Sequence, residues 1–270
     1  MVQNFREDRL LKEMTVYRKD KTEMNRKINA VPGVIGAILL ICIVCGAVSM
    51  LFWFYADRRS VTVSENMTAP KYSAPVVVID AGHGGIDGGA VGADGTLEKE
   101  INLAVAKRLE AICCLTGVEC VMTREEDSLL ADESMKRFRK MTDLKNRLEV
   151  VKRLESEGKS PILISIHMNN FSSPEYSGLQ VWYSPNSERS AVLANCLQDY
   201  AKNYIDSANN RKVKKAGSAI YMLDRVTSPA VLVECGFLSN TAEREMLKSE
   251  AYQTKLAVVI YSAVCEYSAG

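Results

Sequence analysis

The sequence predicts an α/β fold, in which a mixed, mostly parallel sheet carries helices on both faces and follows a single N-terminal transmembrane helix. Short apolar runs rich in β-branched residues alternate with longer stretches of helical periodicity, as in proteins with parallel sheets. Several of these runs are continuously apolar, which is typical of strands buried on both faces. A separate uncharged run near the N-terminus predicts the transmembrane helix.

Size and charge limit the organisation of the chain. Its 270 residues and formal net charge of +1 fit one mid-sized domain with an appendage. No long block of Lys or Arg supplies the positive surface that phosphate backbones require, so we do not expect nucleic acid as a partner. The cysteines lack zinc-finger spacing, and we expect mostly free thiols. The predicted segments are a basic cytoplasmic stretch, an anchor, a linker and a globular domain, over residues 1–33, 34–55, 56–75 and 76–270.

The predicted anchor, residues 34–55, has no charged side chain and is long enough to span a hydrocarbon core of about 30 Å as a helix. Trp53, Phe54 and Tyr55 end it with the aromatic residues that favour a membrane interface, and basic residues outnumber acidic ones before it. We therefore expect a cytoplasmic N-terminus and an extracytoplasmic domain. The alternative is a cleaved signal peptide, whose apolar core is usually only about 7 to 15 residues long.

The elements of the domain follow in order. The first strand covers residues 76–80, and a Gly-rich turn ends it. Further strands are predicted at residues 119–123, 162–166, 179–183, 219–223 and 230–234. Helices are predicted at residues 97–114, 141–157, 188–205, 242–247 and 252–267. Residues 56–75 show neither period and contain prolines, as expected of a linker.

The chain contains only two histidines, and each follows an apolar strand. His83 lies in the Gly-rich turn after the first strand, and His167 follows the strand at 162–166. Because open α/β sheets place their sites at the carboxyl ends of the strands, we expect these side chains to meet. One histidine alone is more often a hydrogen-bonded structural residue, but two at equivalent strand ends indicate a metal site. Catalytic zinc commonly binds two histidines, one carboxylate and a water molecule.

Helical geometry distinguishes two candidates for the carboxylate ligand. Glu98 and Glu100 both open the helix after the Gly-rich turn, where the helix dipole favours any acid. Glu98 lies in line with the apolar Val105 and Leu109, whereas Glu100 projects to the opposite side. A carboxylate that faces the sheet is costly unless a cation or metal compensates its charge. Glu98 is therefore the better ligand.

Glu234 is a second acid in an apolar setting, at the end of the strand at 230–234. Beside a metal site, a carboxylate in this place can take a proton from water and pass it to a leaving nitrogen. The alternative is a structural salt bridge with an arginine such as Arg147 or Arg225. We favour the catalytic interpretation because the end of this strand coincides with the predicted metal edge.

Five ordered blocks resemble the zinc-dependent N-acetylmuramoyl-L-alanine amidase family known as Amidase_3. The blocks comprise residues 78–85 with 88–90, then 97–103, 123–124, 165–169 and 233–240. The resemblance extends from about residue 76 to the C-terminus. It departs from the family pattern at Ser160 and Pro161, where Ala and Asp are usual, and over residues 125–140.

The resemblance implies roles for four residues. His83, Glu98 and His167 would bind one Zn²⁺ per domain, and Glu234 would be the catalytic acid and base. The implied reaction is hydrolysis of the amide between the lactyl group of N-acetylmuramic acid and L-alanine in peptidoglycan. Two other possibilities are a catalytically silent wall-binding protein of the same fold and another wall-directed zinc hydrolase, such as a peptidase or deacetylase.

Within the family, a compact domain on one N-terminal anchor is similar to the CwlD type, which is associated with the spore cortex. This similarity implies removal of stem peptides before a deacetylase forms muramic-δ-lactam, with the domain in the forespore intermembrane space. Amidases that separate vegetative cells can be equally short, so that alternative stays open. No segment clearly resembles the helix that plugs the zinc site of some relatives, which implies control either by an accessory protein or lipoprotein or by the timing of expression.

Four further residues have predicted roles near the site. Asn169 and Arg147 are candidates for contacts with substrate. Asp80 either holds a histidine ligand or caps the turn after the first strand. Asn240 is expected to cap a helix, because Glu243 follows it at the spacing of a capping box.

Overall fold

The computed structural model describes residues 75–131 and 139–270. The strands are β1 Val76–Ala81, β2 Cys120–Met122, β3 Pro161–Asn169, β4 Gln180–Tyr183, β5 Lys214–Lys215 and β6 Ala230–Phe237. The helices are α1 Glu98–Thr116, α2 Arg139–Ser156, α3 Glu188–Tyr204, α4 Tyr221–Arg225, α5 Thr241–Lys248 and α6 Glu250–Ala269.

All six strands form one mixed sheet in the order β2-β1-β3-β6-β4-β5. β1 pairs in parallel with β2 and with β3, and β3 pairs in parallel with β6. β4 runs antiparallel to β6, and β5 is parallel to β4. The carboxyl ends of β1, β3 and β6 therefore meet at one edge of the sheet. The predicted mixed α/β fold is confirmed.

Helices cover both faces of this sheet, because alternate residues of each strand point to opposite sides. On one face, Ile164 and Val231 pack in a large apolar cluster with side chains of α1, α3 and α6. On the other face, Leu163 and Leu232 pack with side chains of α2 and α4. The central strands are thus buried on both sides, which explains their continuously apolar sequences.

One predicted strand is wrong. The sequence predicts a strand at 219–223, but the structure has the short helix α4 at Tyr221–Arg225 and places β5 earlier, at Lys214–Lys215. Met222 and Leu223 face the α2 side of the sheet from this helical turn and are buried there. A short apolar run buries its side chains equally well as a strand or as a helical turn, so periodicity could not separate the two.

The predicted N-terminal segments, including the anchor at 34–55 and nearly all of the linker, lie outside the described residues. Within residues 75–131 and 139–270, no helix has both the length and the hydropathy needed to cross a membrane. The six cysteines in these ranges are free thiols, as the sequence predicts.

Candidate metal centre

The two histidines and the selected glutamate come together at the carboxyl edge of β1 and β3. The candidate ligand atoms of His83, Glu98 and His167 all lie within 4.8 Å of one another. His83 Nε2 is 3.3 Å from Glu98 Oε2, and His167 Nδ1 is 2.9 Å from Glu98 Oε1. The two imidazole rings are nearly perpendicular, with centroids 5.0 Å apart. This arrangement offers two ring nitrogens and one carboxylate to a common point.

Glu98 faces inward from the first residue of α1. Its exposed fraction is 3%, whereas Glu100 is exposed, as the helical geometry predicts. Glu98 Oε2 accepts a hydrogen bond from the backbone N–H of Ala90 at 2.7 Å, and Oε1 accepts one from that of Met168 at 3.1 Å. These bonds hold the carboxylate between the turn after β1 and the end of β3.

The turn after β1 leaves no room for extra side-chain atoms around the histidines. His83 itself has a φ of 59°, in the left-handed region that few residues other than glycine adopt. A Cβ atom at Gly82 would lie 2.2 Å from Cε1 of the His167 ring. At Gly89, whose φ is +69°, a Cβ atom would lie 2.5 Å from Glu98 Oε2. Both glycines are therefore required by the packing of the cluster.

Arg147 of α2 supports this turn through hydrogen bonds to its backbone. Its side chain is 1% exposed, and Nη1 donates to Asp80 Oδ1 and to the Ala81 carbonyl, both at 2.7 Å. Nη2 donates to the His83 carbonyl, also at 2.7 Å, and Nε donates to Asp143 Oδ2 at 2.7 Å. Four of the five N–H donors of Arg147 are thus used by Asp80, Asp143 and the carbonyls of the turn, and its contact with substrate stays a prediction.

Asp80 acts on the histidine only through this arginine. Its carboxylate accepts hydrogen bonds from Thr123 and Ser165, at 2.7 and 2.5 Å, as well as from Arg147. Burial opposes ionisation, but the Arg147 guanidinium and these hydrogen bonds lower the pKa of Asp80 to about 2. The structure thus places Asp80 in an ion pair with Arg147, which in turn holds the His83 carbonyl.

Three residues in this centre were missed by the sequence analysis. Asn102, four residues after Glu98, donates from Nδ2 to the Gly82 carbonyl at 3.0 Å. Arg124 is buried and donates from Nε to the Ala81 carbonyl at 2.8 Å. Asp87 Oδ2 lies 3.0 Å from His83 Nδ1. Asn102 lies on the same face of α1 as Glu98, so helical periodicity could have indicated it. Asp87 reaches His83 through the conformation of the turn, which has no periodic pattern in the sequence.

The charges of the cluster favour a bound cation. Burial disfavours the ionised form of Glu98, yet the hydrogen bonds from His167 and His83 hold its pKa well below the ordinary value. Burial likewise opposes the charged form of His83, but Asp87 and Glu98 raise its pKa to about 9. The negative charges of Asp87 and Glu98, which favour a proton on His83, would equally favour a metal ion bound to this histidine. The donor set therefore fits zinc, which commonly takes two histidines and a carboxylate.

Glu234 lies next to this cluster, where β6 pairs with β3. Its Cα is in register with that of His167, so the two side chains share one face of the sheet. Oε2 of Glu234 is buried and has no hydrogen-bond partner among the described residues. Burial raises the pKa of Glu234 to about 7, and the Glu98 charge acts in the same direction while that of His167 opposes it.

Within residues 75–131 and 139–270, Glu234 forms no salt bridge of the kind proposed as the alternative. Arg147 pairs with Asp80 and Asp143, and Arg225 pairs with Asp224 at 3.0 Å. A buried carboxylate oxygen without a partner is costly, so its place beside a donor cluster points to a catalytic use.

A cavity of about 200 Å³ adjoins the two histidines on the α2 side of the sheet. Its walls include Leu144 of α2, Tyr221 and Met222 of α4, and Leu232 of β6. Asn169 ends β3 and is half-buried, and its contact with substrate stays a prediction. The cavity gives an apolar space beside the candidate ligands.

Comparison with known proteins identifies the chain. Residues 77–266 match the family described as N-acetylmuramoyl-L-alanine amidase. The germination-specific N-acetylmuramoyl-L-alanine amidase of Bacillus subtilis is 37% identical over 197 residues, which cover 72% of this chain and 80% of that protein.

Solved structures agree with this result. The CwlD amidase from Clostridioides difficile, in complex with the GerS lipoprotein, is 38% identical, with a TM-score of 0.67 over 72% of this chain and 98% of that chain. AmiC2 of Nostoc punctiforme, an N-acetylmuramoyl-L-alanine amidase, is 31% identical, with a TM-score of 0.61 over 73% of this chain and 98% of that chain. On these matches and on the five sequence blocks, the chain belongs to the Amidase_3 family of N-acetylmuramoyl-L-alanine amidases.

Proposed function

We propose that this amidase hydrolyses the bond between N-acetylmuramic acid and L-alanine with one zinc ion held by His83, Glu98 and His167. The observation that carries the proposal is the convergence of their ligand atoms within 4.8 Å, beside the unpartnered carboxylate oxygen of Glu234. His83, Glu98 and His167 would hold the zinc ion, which would supply Lewis-acid polarisation of the scissile carbonyl and activation of water at neutral pH.

The side chains of the protein perform the proton transfers and the positioning. Glu234 takes a proton from the attacking water and returns it to the leaving nitrogen of L-alanine, so the amine departs neutral. Asp87, beside Nδ1 of His83, orients that ring so that Nε2 points towards Glu98. Arg147 fixes the backbone carbonyl of His83, and Asp80 compensates the charge of Arg147.

The proposed substrate is the peptidoglycan of the spore cortex. The similarity to the germination-specific amidase of Bacillus subtilis and to the CwlD amidase supports this choice over the vegetative wall. Because that CwlD structure contains the GerS lipoprotein, we also propose an accessory lipoprotein for this chain. Stem-peptide removal would then precede deacetylation and closure of the muramic-δ-lactam ring.

We further propose that the domain at residues 76–270 works outside the cytoplasmic membrane, in the forespore intermembrane space. The uncharged run at 34–55 supports an uncleaved anchor, with residues 1–33 in the cytoplasm and 56–75 as a tether. An anchor of this kind keeps the active domain beside newly made wall.

The experiment is digestion of purified cortex and vegetative sacculi by the full-length protein, with and without a zinc chelator, followed by mass spectrometry. We expect chelator-sensitive release of stem peptides that begin with L-alanine, leaving intact lactyl groups on the glycan. Fragments cut inside the stem would instead indicate a peptidase, and release of acetate a deacetylase. A protein that binds the sacculi without releasing any fragment would be a silent binder.

A further inference from the structure

The face of the sheet that carries Glu234 continues into β4 and the loop before β5. Glu234 is in register with His167 of β3 on one side and with Gln180 of β4 on the other. Paired residues of neighbouring strands point to the same face, and the strands lie about 4.8 Å apart. After the irregularity near the end of β3, Phe237 of β6 is paired with Asn169 on this same face.

Arg211 lies against this continuation of the site. Its guanidinium carbon is 4.5 Å from the centroid of the Phe237 ring and 6.0 Å from that of the Tyr176 ring. Nε donates to the Ser177 carbonyl at 2.7 Å, and Nη1 is 3.3 Å from Gln180 Oε1. Aromatic stacking and one strong hydrogen bond thus hold the guanidinium in a fixed orientation on the Glu234 face.

The charge of Arg211 lacks a salt-bridge partner in the part of the chain that the structure describes, namely 75–131 and 139–270. The neighbouring Glu243 carboxylate instead accepts hydrogen bonds from the backbone N–H groups of Gly178 and Phe237, both at 2.8 Å. Arg211 is half-buried, and its two hydrogen bonds use two of the five N–H donors of a guanidinium. The remaining donors form a fork that matches a carboxylate.

The distance suits the substrate. Gln180 of β4 is paired with Glu234 of β6, one strand spacing of about 4.8 Å away, and the Arg211 guanidinium contacts the Gln180 side chain. An extended peptide advances roughly 3.5 Å per residue, so a stem that runs from Glu234 across β4 would bring its second residue to the neighbourhood of Gln180 and Arg211. This residue is a D-glutamate joined through its side-chain carboxyl group, so its α-carboxylate is free.

We infer that Arg211 binds the α-carboxylate of the second stem residue and thereby makes the enzyme prefer stems in which this group is not amidated. The inference rests on the proposed function, because it needs the scissile amide at Glu234. Arg211 would act in substrate binding, and the metal ligands would be unaffected by its loss.

The test compares two sets of muropeptides that differ only in the second stem residue, which is D-glutamate or its α-amide, D-isoglutamine. For the full-length protein we expect kcat/KM to be about 10- to 100-fold higher with D-glutamate, as for a lost charge-assisted hydrogen bond. R211A should abolish this preference by raising KM for the D-glutamate stem, with little change in kcat. R211K, which keeps the charge but not the fork, should retain a smaller preference.

A matched control is R189A, because Arg189 also stacks over an aromatic ring, that of Tyr267, at 5.2 Å. It should keep the wild-type preference. Equal kcat/KM of the wild-type enzyme for both stems would overturn the inference without needing any variant. Equal losses of R211A on both stems would also overturn it, since they would indicate a purely structural arginine. Failure of the wild-type enzyme to cleave either stem would instead refute the proposed function, and the inference with it.

Discussion

At the residue scale, Glu98 and Glu100 show how position on a helix determines chemistry. Both are glutamates in the first turn of α1, yet Glu98 lies between two imidazoles and Glu100 is exposed. The hydrogen bonds from the histidines keep the pKa of Glu98 low despite its burial, so the side chain is anionic at neutral pH, as a metal ligand must be. Glu100 provides a natural control for the same substitution.

We predict that E98Q lowers zinc affinity by more than about 100-fold, because the substitution removes the anionic ligand from a three-residue site. E100Q should bind zinc like the wild type. Isothermal titration of the metal-free proteins with zinc measures both affinities. Equal affinities for E98Q and the wild type would show that Glu98 is not a ligand.

For Glu234 we predict that a substitution lowers turnover without changing metal binding. E234Q keeps the size of the side chain but cannot accept a proton, so kcat should fall by about 100- to 10,000-fold while zinc content stays at the wild-type level. Elemental analysis and muropeptide assays on the same preparation measure both quantities. A fully active E234Q protein would exclude Glu234 as the acid and base.

Residues with a periodic signal could be predicted from the sequence, and residues placed by tertiary contacts could not. The face of Glu98 follows from helical geometry, and Asn240 caps α5 by accepting from the Glu243 N–H at 3.0 Å, as predicted. The sequence predicts a substrate contact for Arg147, which stays a prediction, but it gives no sign of the contacts of this side chain with Asp80 and the carbonyls of the turn. That contact joins α2 to β1 across 67 positions of sequence, beyond the reach of any local pattern.

At the scale of elements, the turn after β1 depends on the absence of a side chain at Gly82. We predict that G82A lowers kcat/KM by about 100-fold. The added Cβ atom would lie 2.2 Å from Cε1 of the His167 ring and would therefore displace that ring. The φ of Gly82 is not in the left-handed region, so the effect would be steric.

G217A is the control for G82A, since no atom lies within 4 Å of the added Cβ and this glycine also lacks a positive φ. Its activity should equal that of the wild type. Steady-state kinetics on soluble muropeptides measure both variants, and wild-type activity of G82A would refute the tight packing of turn and ring.

The ion pair between β1 and α2 predicts a specific dependence of stability on pH. Because the folded-state pKa of Asp80 is about 2, below the ordinary value of about 3.9, its ionised form stabilises the fold above about pH 4. This contribution declines as the pH falls from about 4 towards 2 and is lost below that range.

D80N should therefore lower the free energy of unfolding by about 2–3 kcal/mol at pH 7, because it removes one of the two carboxylates that compensate the buried charge of Arg147 and leaves Asp143 as the remaining partner. It should also weaken the decline of stability between about pH 4 and 2. Urea denaturation of D80N and of D199N, a change at an exposed aspartate of α3, measures the difference. Identical pH profiles for D80N and the wild type would contradict the role of the pair.

Predictions of whole elements succeeded where one pattern extended over many residues. β1, β3 and β6 have continuous apolar sequences because both of their faces are buried, and they lie where the sequence predicts them. The prediction failed at 219–223, where five residues are too few to separate a strand from the helical turn of α4.

At the scale of the whole molecule, the parallel order β1-β3-β6 brings together residues that are far apart in the sequence. Each of these strands contributes to one edge, which is where His83, His167 and Glu234 meet. The apolar clusters on the two faces hold this edge rigid, since the strands are packed from both sides. The order of the strands therefore determines where the site lies, and the side chains at their ends determine its chemistry.

The proposed anchor is also tested at this scale. We predict that, in protoplasts of vegetative cells made to express the full-length protein, added protease removes the domain at 76–270 and leaves residues 1–33 protected. Ile43→Arg with Val44→Arg should abolish membrane retention, because these positions lie near the middle of the span 34–55 and each charge costs about 2.5–3.5 kcal/mol at the centre of a membrane-spanning helix. Retention of this double variant, or a protected domain, would contradict the anchor and its orientation.

The most direct test of zinc-dependent amide hydrolysis is a titration of the metal-free protein with zinc, scored as released stem peptide. We predict negligible activity without metal, a linear rise of activity with added zinc, and saturation at one zinc ion per chain. The same titration of H83A should show no rise at one equivalent. Full activity of the metal-free protein, or saturation at two zinc ions per chain, would contradict the proposed centre.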